Sequence, residues 1–299
     1  MRDLLWICCA VPLACAHGAP SSAGNAPGTP AGRERLVMVD GTAGRLRVSD
    51  AALGGAAVGP AVVFLHGLGS DLEVWRAQLD HLRAEGRRAI AYDQRGHGGS
   101  DKARDGVYTV EALAQDLEAV RKALGLGRVV LVGHSLSGTV LTTYAGAHAD
   151  AVAGLVYVDA VGEANLFPKD EVAALVARET AQSFGRAEQR ATFEEMLEGA
   201  RPATREAVVA ALARIDPPAF GLLRKGIFEF EDAKARLAPW RGPAAAIEVG
   251  SAPRPFSAAT VLGVPRTAVQ DASHWVQLDQ PEAVSRAIDA FLATLPSQP

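Results

Sequence analysis

Cysteine is nearly absent from this chain of 299 residues. The three present are Cys8, Cys9 and Cys15, and all fall within the first fifteen positions. Beyond that short segment there is no thiol to form a disulfide, to ligate a metal or to act as a nucleophile. Disulfide frameworks, cysteine metal sites and thiol catalysis are therefore excluded for the rest of the chain.

The sequence also lacks a strong charge of either sign and a long apolar run. Its formal net charge is −4, and its 30 lysines and arginines are scattered rather than clustered. Nucleic-acid binding, which needs a concentrated basic face, is not indicated. No stretch reaches the roughly 20 apolar residues that span a bilayer. With 48% hydrophobic residues, the chain can build a core of ordinary size.

The N-terminus has the pattern of an export signal. Arg2 precedes an apolar run, and Ala14-Cys15-Ala16 fits a small-x-small cleavage site. We expect a signal peptide at residues 1–16, a flexible linker rich in glycine and proline at 17–34, and a periplasmic or extracellular protein. Lipid attachment at Cys15 is an alternative, although Pro12 stands where a lipoprotein signal usually has an aliphatic residue.

The rest of the chain alternates short apolar runs with amphipathic stretches. A leading antiparallel pair is predicted around Leu36 and Leu46. Continuous apolar runs then predict buried strands near residues 61–66, 88–93, 129–133, 155–159, 244–250 and 266–271. Helical spacing between them predicts a doubly wound α/β sheet.

Residues 161–239 break the alternation of strands and helices. They predict a helical cap that is inserted into a core formed by residues 35–160 and 240–299.

Ser135 lies in the stretch VVLVGHSLSG, between a buried strand and a helix. A serine hydroxyl becomes an effective nucleophile only on an exposed turn with a base within reach. Small flanking residues allow such a turn. Gly133 provides one, but the second small position holds Ser137 instead of the usual glycine, one hydroxymethyl away from the G-x-S-x-G pattern. We predict that Ser135 is a nucleophile.

The candidate base is His274. Where a serine occupies such a turn, the acid and then the histidine follow it along the chain. Only His148 and His274 follow Ser135. His148 lies at the far end of the helix that begins at Ser135 and cannot reach it, so His274 is the one candidate left.

The candidate acid is Asp159, at the end of the predicted strand LVYVD. The acid that partners such a serine most often follows the next strand, but the stretch 251–260 there has no carboxylate. Glu248 and Glu163 remain open as alternative acids. We expect backbone N–H groups of Leu68 and Leu136 to stabilise an oxyanion.

The motifs HGLGSD, YDQRGHGGSD, LVGHSLSG, LVYVD and ASHWVQLDQPEAV together resemble the α/β-hydrolase superfamily, in its capped esterase- and lactonase-like group. The resemblance covers the chain from about residue 60 onward. It implies a mostly parallel eight-stranded sheet flanked by helices. Haloalkane dehalogenases of this superfamily carry their acid at the position of Asp159, but their nucleophile is a carboxylate, so dehalogenation is not expected.

The expected function is therefore cleavage of a small-molecule carboxylic ester or lactone by a Ser-His-Asp triad through an acyl-enzyme. No metal and no organic cofactor is expected. Two alternatives stay open at this point. One is Ser-dependent carbon–carbon hydrolysis or perhydrolysis, and the other is a catalytically weak ligand-binding protein on the same fold.

Overall fold

The computed structural model describes residues 34–51, 57–164, 168–181 and 185–296. The predicted signal peptide at 1–16, including Cys15, and all but the last residue of the predicted linker at 17–34 lie outside the described residues.

Eight strands of the described chain form one sheet. In chain order they are β1 to β8: Glu34–Asp40, Arg45–Ala51, Ala61–Leu65, Ala89–Tyr92, Val129–His134, Val152–Val158, Ala244–Val249 and Arg266–Val269. Their order across the sheet is β1-β2-β4-β3-β5-β6-β7-β8. The pair β1–β2 is antiparallel and β2 joins β4 antiparallel, whereas β3 to β8 run parallel. The predicted mostly parallel sheet is confirmed.

The parallel strands owe their place to continuous apolar sequence. Every residue of β5 and of β6 is buried, as is every residue of β4. Strands covered on both faces need apolar side chains on both faces, so they lack the alternation of a half-exposed strand. These strands form the centre of a single core cluster that extends to the surrounding helices.

Eleven α-helices occur in the described residues. In chain order they are α1 to α11: Arg76–Ala84, Val110–Ala123, Ser137–Ala147, Lys169–Thr180, Arg186–Met196, Pro202–Leu212, Pro217–Phe228, Ala233–Leu237, Ala258–Leu262, Val276–Asp279 and Pro281–Leu292. Helix α1 packs against α11, and α2 packs against α3. Within the described ranges, none of the helices has the length and apolar character needed to cross a bilayer.

Helices α4 to α8 all come between β6 and β7, within the interval 161–239 for which the sequence predicts helices. We call them the inter-strand helices. Helix α4 packs against α7, and the rings of Phe193 on α5 and Phe220 on α7 lie 5.8 Å apart. The division of the chain into a core and a cap stays a prediction.

Candidate active site

Ser135 occupies the turn between β5 and α3, with a φ of 55°. This left-handed conformation is uncommon for a residue with a side chain, and it recurs at functional turns. Small neighbours permit it. A Cβ on Gly133 would lie 2.7 Å from Leu141 Cδ1, and one on Gly138 would press against the carbonyl oxygen of Val161. The tight packing of α3 against the sheet therefore depends on these two glycines.

His274 and Asp159 are in direct contact. His274 Nδ1 lies 2.6 Å from Asp159 Oδ2, and both side chains are buried. A carboxylate can only accept, so Nδ1 carries the proton and donates it to this bond. The lone pair of the neutral imidazole is then on Nε2, which is the arrangement that a general base requires.

The second oxygen of Asp159 has its own partners. Asp159 Oδ1 accepts from the backbone N–H of Val249 at 3.1 Å and from Nη2 of Arg254. Burial alone would raise the pKa of this carboxyl, but the Arg254 guanidinium and the His274 hydrogen bond together hold the pKa of Asp159 well below its usual value. The carboxylate is therefore ionised at neutral pH.

The two alternative acids have other partners. Glu248 Oε2 accepts from Arg266 Nε at 2.8 Å. Glu163 accepts from the backbone N–H groups of Asp232 and Ala233. The carboxylate that meets His274 Nδ1 is that of Asp159.

Sequence reasoning missed two side chains that adjoin this pair. Arg254 follows β7, in the stretch 251–260 that has no carboxylate. His134 directly precedes Ser135, and its ring lies 4.6 Å from the ring of His274. His134 Nε2–H donates to the His274 carbonyl at 2.9 Å. Burial and the neighbouring His274 lower the pKa of His134 to about 3, so it is a neutral donor that holds the His274 loop.

The loop that contains Leu68 passes directly beside Ser135. A Cβ on Gly67 would lie 2.9 Å from Ser135 Cβ, so only glycine allows this approach. In the described chain, neither the N–H of Leu68 nor that of Leu136 donates to a protein acceptor. The role of these two N–H groups as oxyanion donors stays a prediction.

Ser137 connects this loop to α3. Its hydroxyl donates to the His66 carbonyl at 2.6 Å and accepts from Gln94 Nε2 at 3.3 Å. His66 Nδ1–H in turn donates to the Gly67 carbonyl at 2.7 Å. Ser137, which stands in place of the usual glycine, is therefore buried and links the turn at Ser135 to the loop that contains Leu68.

A cavity opens above Ser135. It encloses about 560 Å³ of empty space, its open mouth included. The inter-strand helices contribute half of its wall. The lining residues are Leu68, His134, Ser135, Val161, Thr192, Phe193, Met196, Arg224, Ile227, Phe228, His274 and Trp275. Most of these side chains are apolar, as expected for a small-molecule site.

A metal centre would need several ligating side chains close together. The described ranges contain no group of three or more His, Cys, Asp or Glu positioned to hold an ion. Ser135, His274 and Asp159 remain the candidate catalytic residues of this site.

A family model of the alpha/beta hydrolase fold matches residues 60–239, which is more than half of the chain. The chain therefore belongs to the alpha/beta hydrolase fold family. The predicted resemblance is confirmed at this level.

Two curated relatives match shorter segments. Epoxide hydrolase 3 of Xenopus tropicalis is 42% identical over 102 residues, which are 34% of this chain and 28% of that protein. The sn-1-specific diacylglycerol lipase ABHD11 of Mus musculus is 38% identical over 126 residues, 42% of this chain and 40% of that protein. The matches thus span less than half of either relative.

Solved structures match over most of the chain. A thermophilic esterase from Thermogutta terrifontis superposes with a TM-score of 0.71 at 24% identity, covering 87% of this chain and 98% of that one. At this identity the likeness shows the fold.

Proposed function

We propose that this protein is an exported serine hydrolase that cleaves carboxylic esters or lactones through an acyl-enzyme. The observation that carries the proposal is the contact between His274 Nδ1 and Asp159 at 2.6 Å, with His274 and Ser135 in the wall of one cavity. The N-terminal sequence pattern supports export. The names of an esterase and a lipase among the similar proteins agree with ester chemistry.

The first half-reaction forms the acyl-enzyme. Ser135 Oγ attacks the carbonyl carbon while His274 Nε2 takes its proton. The carbonyl oxygen becomes an oxyanion, and the N–H groups of Leu68 and Leu136 donate to it. His274 then returns the proton to the alcohol oxygen as the carbon–oxygen bond breaks and the alcohol leaves.

The second half-reaction repeats these steps with water. His274 Nε2 removes a proton from water, the resulting hydroxide attacks the acyl carbon, and the proton passes to Ser135 Oγ as the acid is released. Asp159 orients His274 and stabilises the imidazolium in both halves. The inter-strand helices act as a cap that shields the cavity from water.

The test is turnover of 4-nitrophenyl esters of increasing acyl length by the purified protein and its variants. We expect Ser135→Ala to lower kcat by at least about 1000-fold and Asp159→Asn by roughly 1000- to 10,000-fold. Glu163→Gln is the matched control for the acid, and it should retain most of the activity. Full activity of Ser135→Ala would overturn the mechanism, and a larger loss in Glu163→Gln than in Asp159→Asn would overturn the choice of acid.

An epoxide such as styrene oxide belongs in the same panel, because one similar protein is named an epoxide hydrolase. The proposal predicts ester turnover and no epoxide opening. Epoxide turnover without ester turnover would contradict the proposed substrate class.

A further inference from the structure

Arg224 is an unusual member of the cavity wall. Of the twelve residues that line the cavity, all within the described chain, it is the one that carries a permanent positive charge. It lies on α7, and only 9% of its side chain is exposed. A guanidinium in an apolar wall loses much of its hydration, so it needs anionic or aromatic partners.

One partner of Arg224 lies behind the wall. Arg224 Nη1 is 2.9 Å from Glu179 Oε1 on α4, and Glu179 is not among the residues that line the cavity. Arg178 Nη2 lies 3.2 Å from the same oxygen. Two guanidinium groups therefore share one carboxylate, and this cluster of three side chains keeps a net charge of +1.

Aromatic rings hold the guanidinium in place. Its central carbon lies 5.5 Å from the ring centroid of Phe228 and 6.0 Å from that of Phe220. Cation–π contacts of this kind restrict the guanidinium and reduce the entropy lost when it binds a ligand. An ion pair that served only to join α4 to α7 would not need its cation in the wall of the cavity.

We propose that Arg224 binds a carboxylate of the substrate, so that the hydrolase acts on esters whose acyl or alcohol part ends in an anionic group. Monoesters of dicarboxylic acids are the simplest members of this class. This inference rests on the proposed function, because it assigns the substrate class of the same cavity. The guanidinium presents five N–H donors, and a carboxylate can accept from two of them at once.

The test compares three esters that share a six-carbon acyl chain and differ in terminal charge. They are mono-4-nitrophenyl adipate, 4-nitrophenyl hexanoate and 4-nitrophenyl 6-aminohexanoate. A second pair, 3-carboxyphenyl butanoate and phenyl butanoate, places the carboxylate on the alcohol side. We expect kcat/KM to be highest for the anionic member of at least one set.

Arg224→Met should raise KM for the preferred anionic ester by roughly 10- to 100-fold, the range expected for a lost charged hydrogen bond. Turnover of the neutral ester should stay within about threefold of the wild type. Arg178→Met is the matched control, since Arg178 contacts the same Glu179 oxygen but does not line the cavity. It should leave the charge preference unchanged.

Arg224→Lys keeps the positive charge and replaces Arg224→Met in this test if the methionine variant does not fold. It should retain a preference for the anion with a smaller KM effect. Equal kcat/KM for the charged and neutral esters in the wild type, or an equal loss for all esters in Arg224→Met, would overturn the role of Arg224 while leaving the hydrolase intact. Failure to cleave any ester would contradict the proposed function, and calorimetric binding of adipate to wild type and Arg224→Met would then test Arg224 alone. Equal binding of adipate by the wild type and by Arg224→Met would overturn the proposed role of Arg224.

Discussion

The Asp159 carboxylate has separate partners for its two oxygens. Oδ2 accepts from His274, whereas Oδ1 accepts from Val249 N–H and from Arg254. The Arg254 cation neutralises part of the charge that stabilises an imidazolium at His274. We therefore expect both the Asp159 anion and the nearby Arg254 cation to influence the basicity of His274.

Replacement of Arg254 tests this balance. In Arg254→Met the full charge of Asp159 acts on His274, so the pKa of His274 should rise. The acidic limb of the kcat/KM profile against pH should move to higher pH by about one unit.

Arg266→Met is the matched control. Its side chain is 15% exposed, against 16% for Arg254, and it pairs with Glu248 rather than with Asp159. The acidic limb should not move in this variant. An unchanged limb in Arg254→Met, or equal shifts in both variants, would contradict the account.

Sequence reasoning reached some residues of the site and not others. Ser135, Asp159 and His274 are recognisable because each follows or adjoins a predicted strand in a known chain order. Their catalytic roles stay predictions, although the contact between Asp159 and His274 is present. Arg254 and His134 could not be found in this way, because their roles depend on contacts across 95 and 140 residues of chain.

Helix α3 is held against the segment that follows β6. The N–H groups of Gly138 and Val161 both donate to the Ser135 carbonyl, at 3.0 and 3.1 Å. Gly138 allows this approach because it has no side chain to meet the Val161 carbonyl. The contact fixes the turn at Ser135 relative to β6, which Asp159 directly follows.

Gly138→Ala should lower the free energy of unfolding by about 1–3 kcal/mol, because the added methyl group forces α3 away from that segment. Urea unfolding measures the change. Gly127→Ala is the control, since a Cβ there meets nothing within 4 Å. Equal effects of the two substitutions would show that the close approach has no energetic weight.

The strands could be predicted more completely than the helices. All six predicted apolar runs are strands. The central strands β4, β5 and β6 are buried throughout, which leaves a strong signal in the sequence, whereas only Val269 is buried in the edge strand β8. Strand β6 begins at Val152, three residues before its prediction, because Ala153 and Gly154 carry little apolar signal. Short helices such as α8 and α10, of five and four residues, are fixed by tertiary packing and have no periodicity to detect.

Three fully buried histidines are expected to affect the stability of the folded chain in acid. Burial lowers the pKa of His66 to about 4 and, together with a neighbouring histidine, that of His97 and of His134 to about 3. An unfolded histidine has a pKa near 6.5. Between these values the unfolded chain binds more protons than the folded one, so stability falls as the pH decreases.

The free energy of unfolding should therefore decrease from about pH 6.5 downward, by up to roughly 1.4 kcal/mol per pH unit for each histidine. His97→Gln should reduce this slope by about one histidine's share. Urea unfolding between pH 4.5 and 7 measures it. A stability that does not change across this range, or an unchanged slope in His97→Gln, would contradict the prediction.

The proposed function requires that Ser135 acts as a nucleophile, and an organophosphate tests this role. Diethyl 4-nitrophenyl phosphate transfers a diethylphosphoryl group to an activated serine oxygen and releases 4-nitrophenolate. Intact mass and peptide mapping should find one group per chain, on Ser135, with ester hydrolysis lost in parallel. Ser135→Ala should stay unlabelled and His274→Ala should label slowly. Labelling at another residue, or no labelling of a protein that still cleaves esters, would contradict the account.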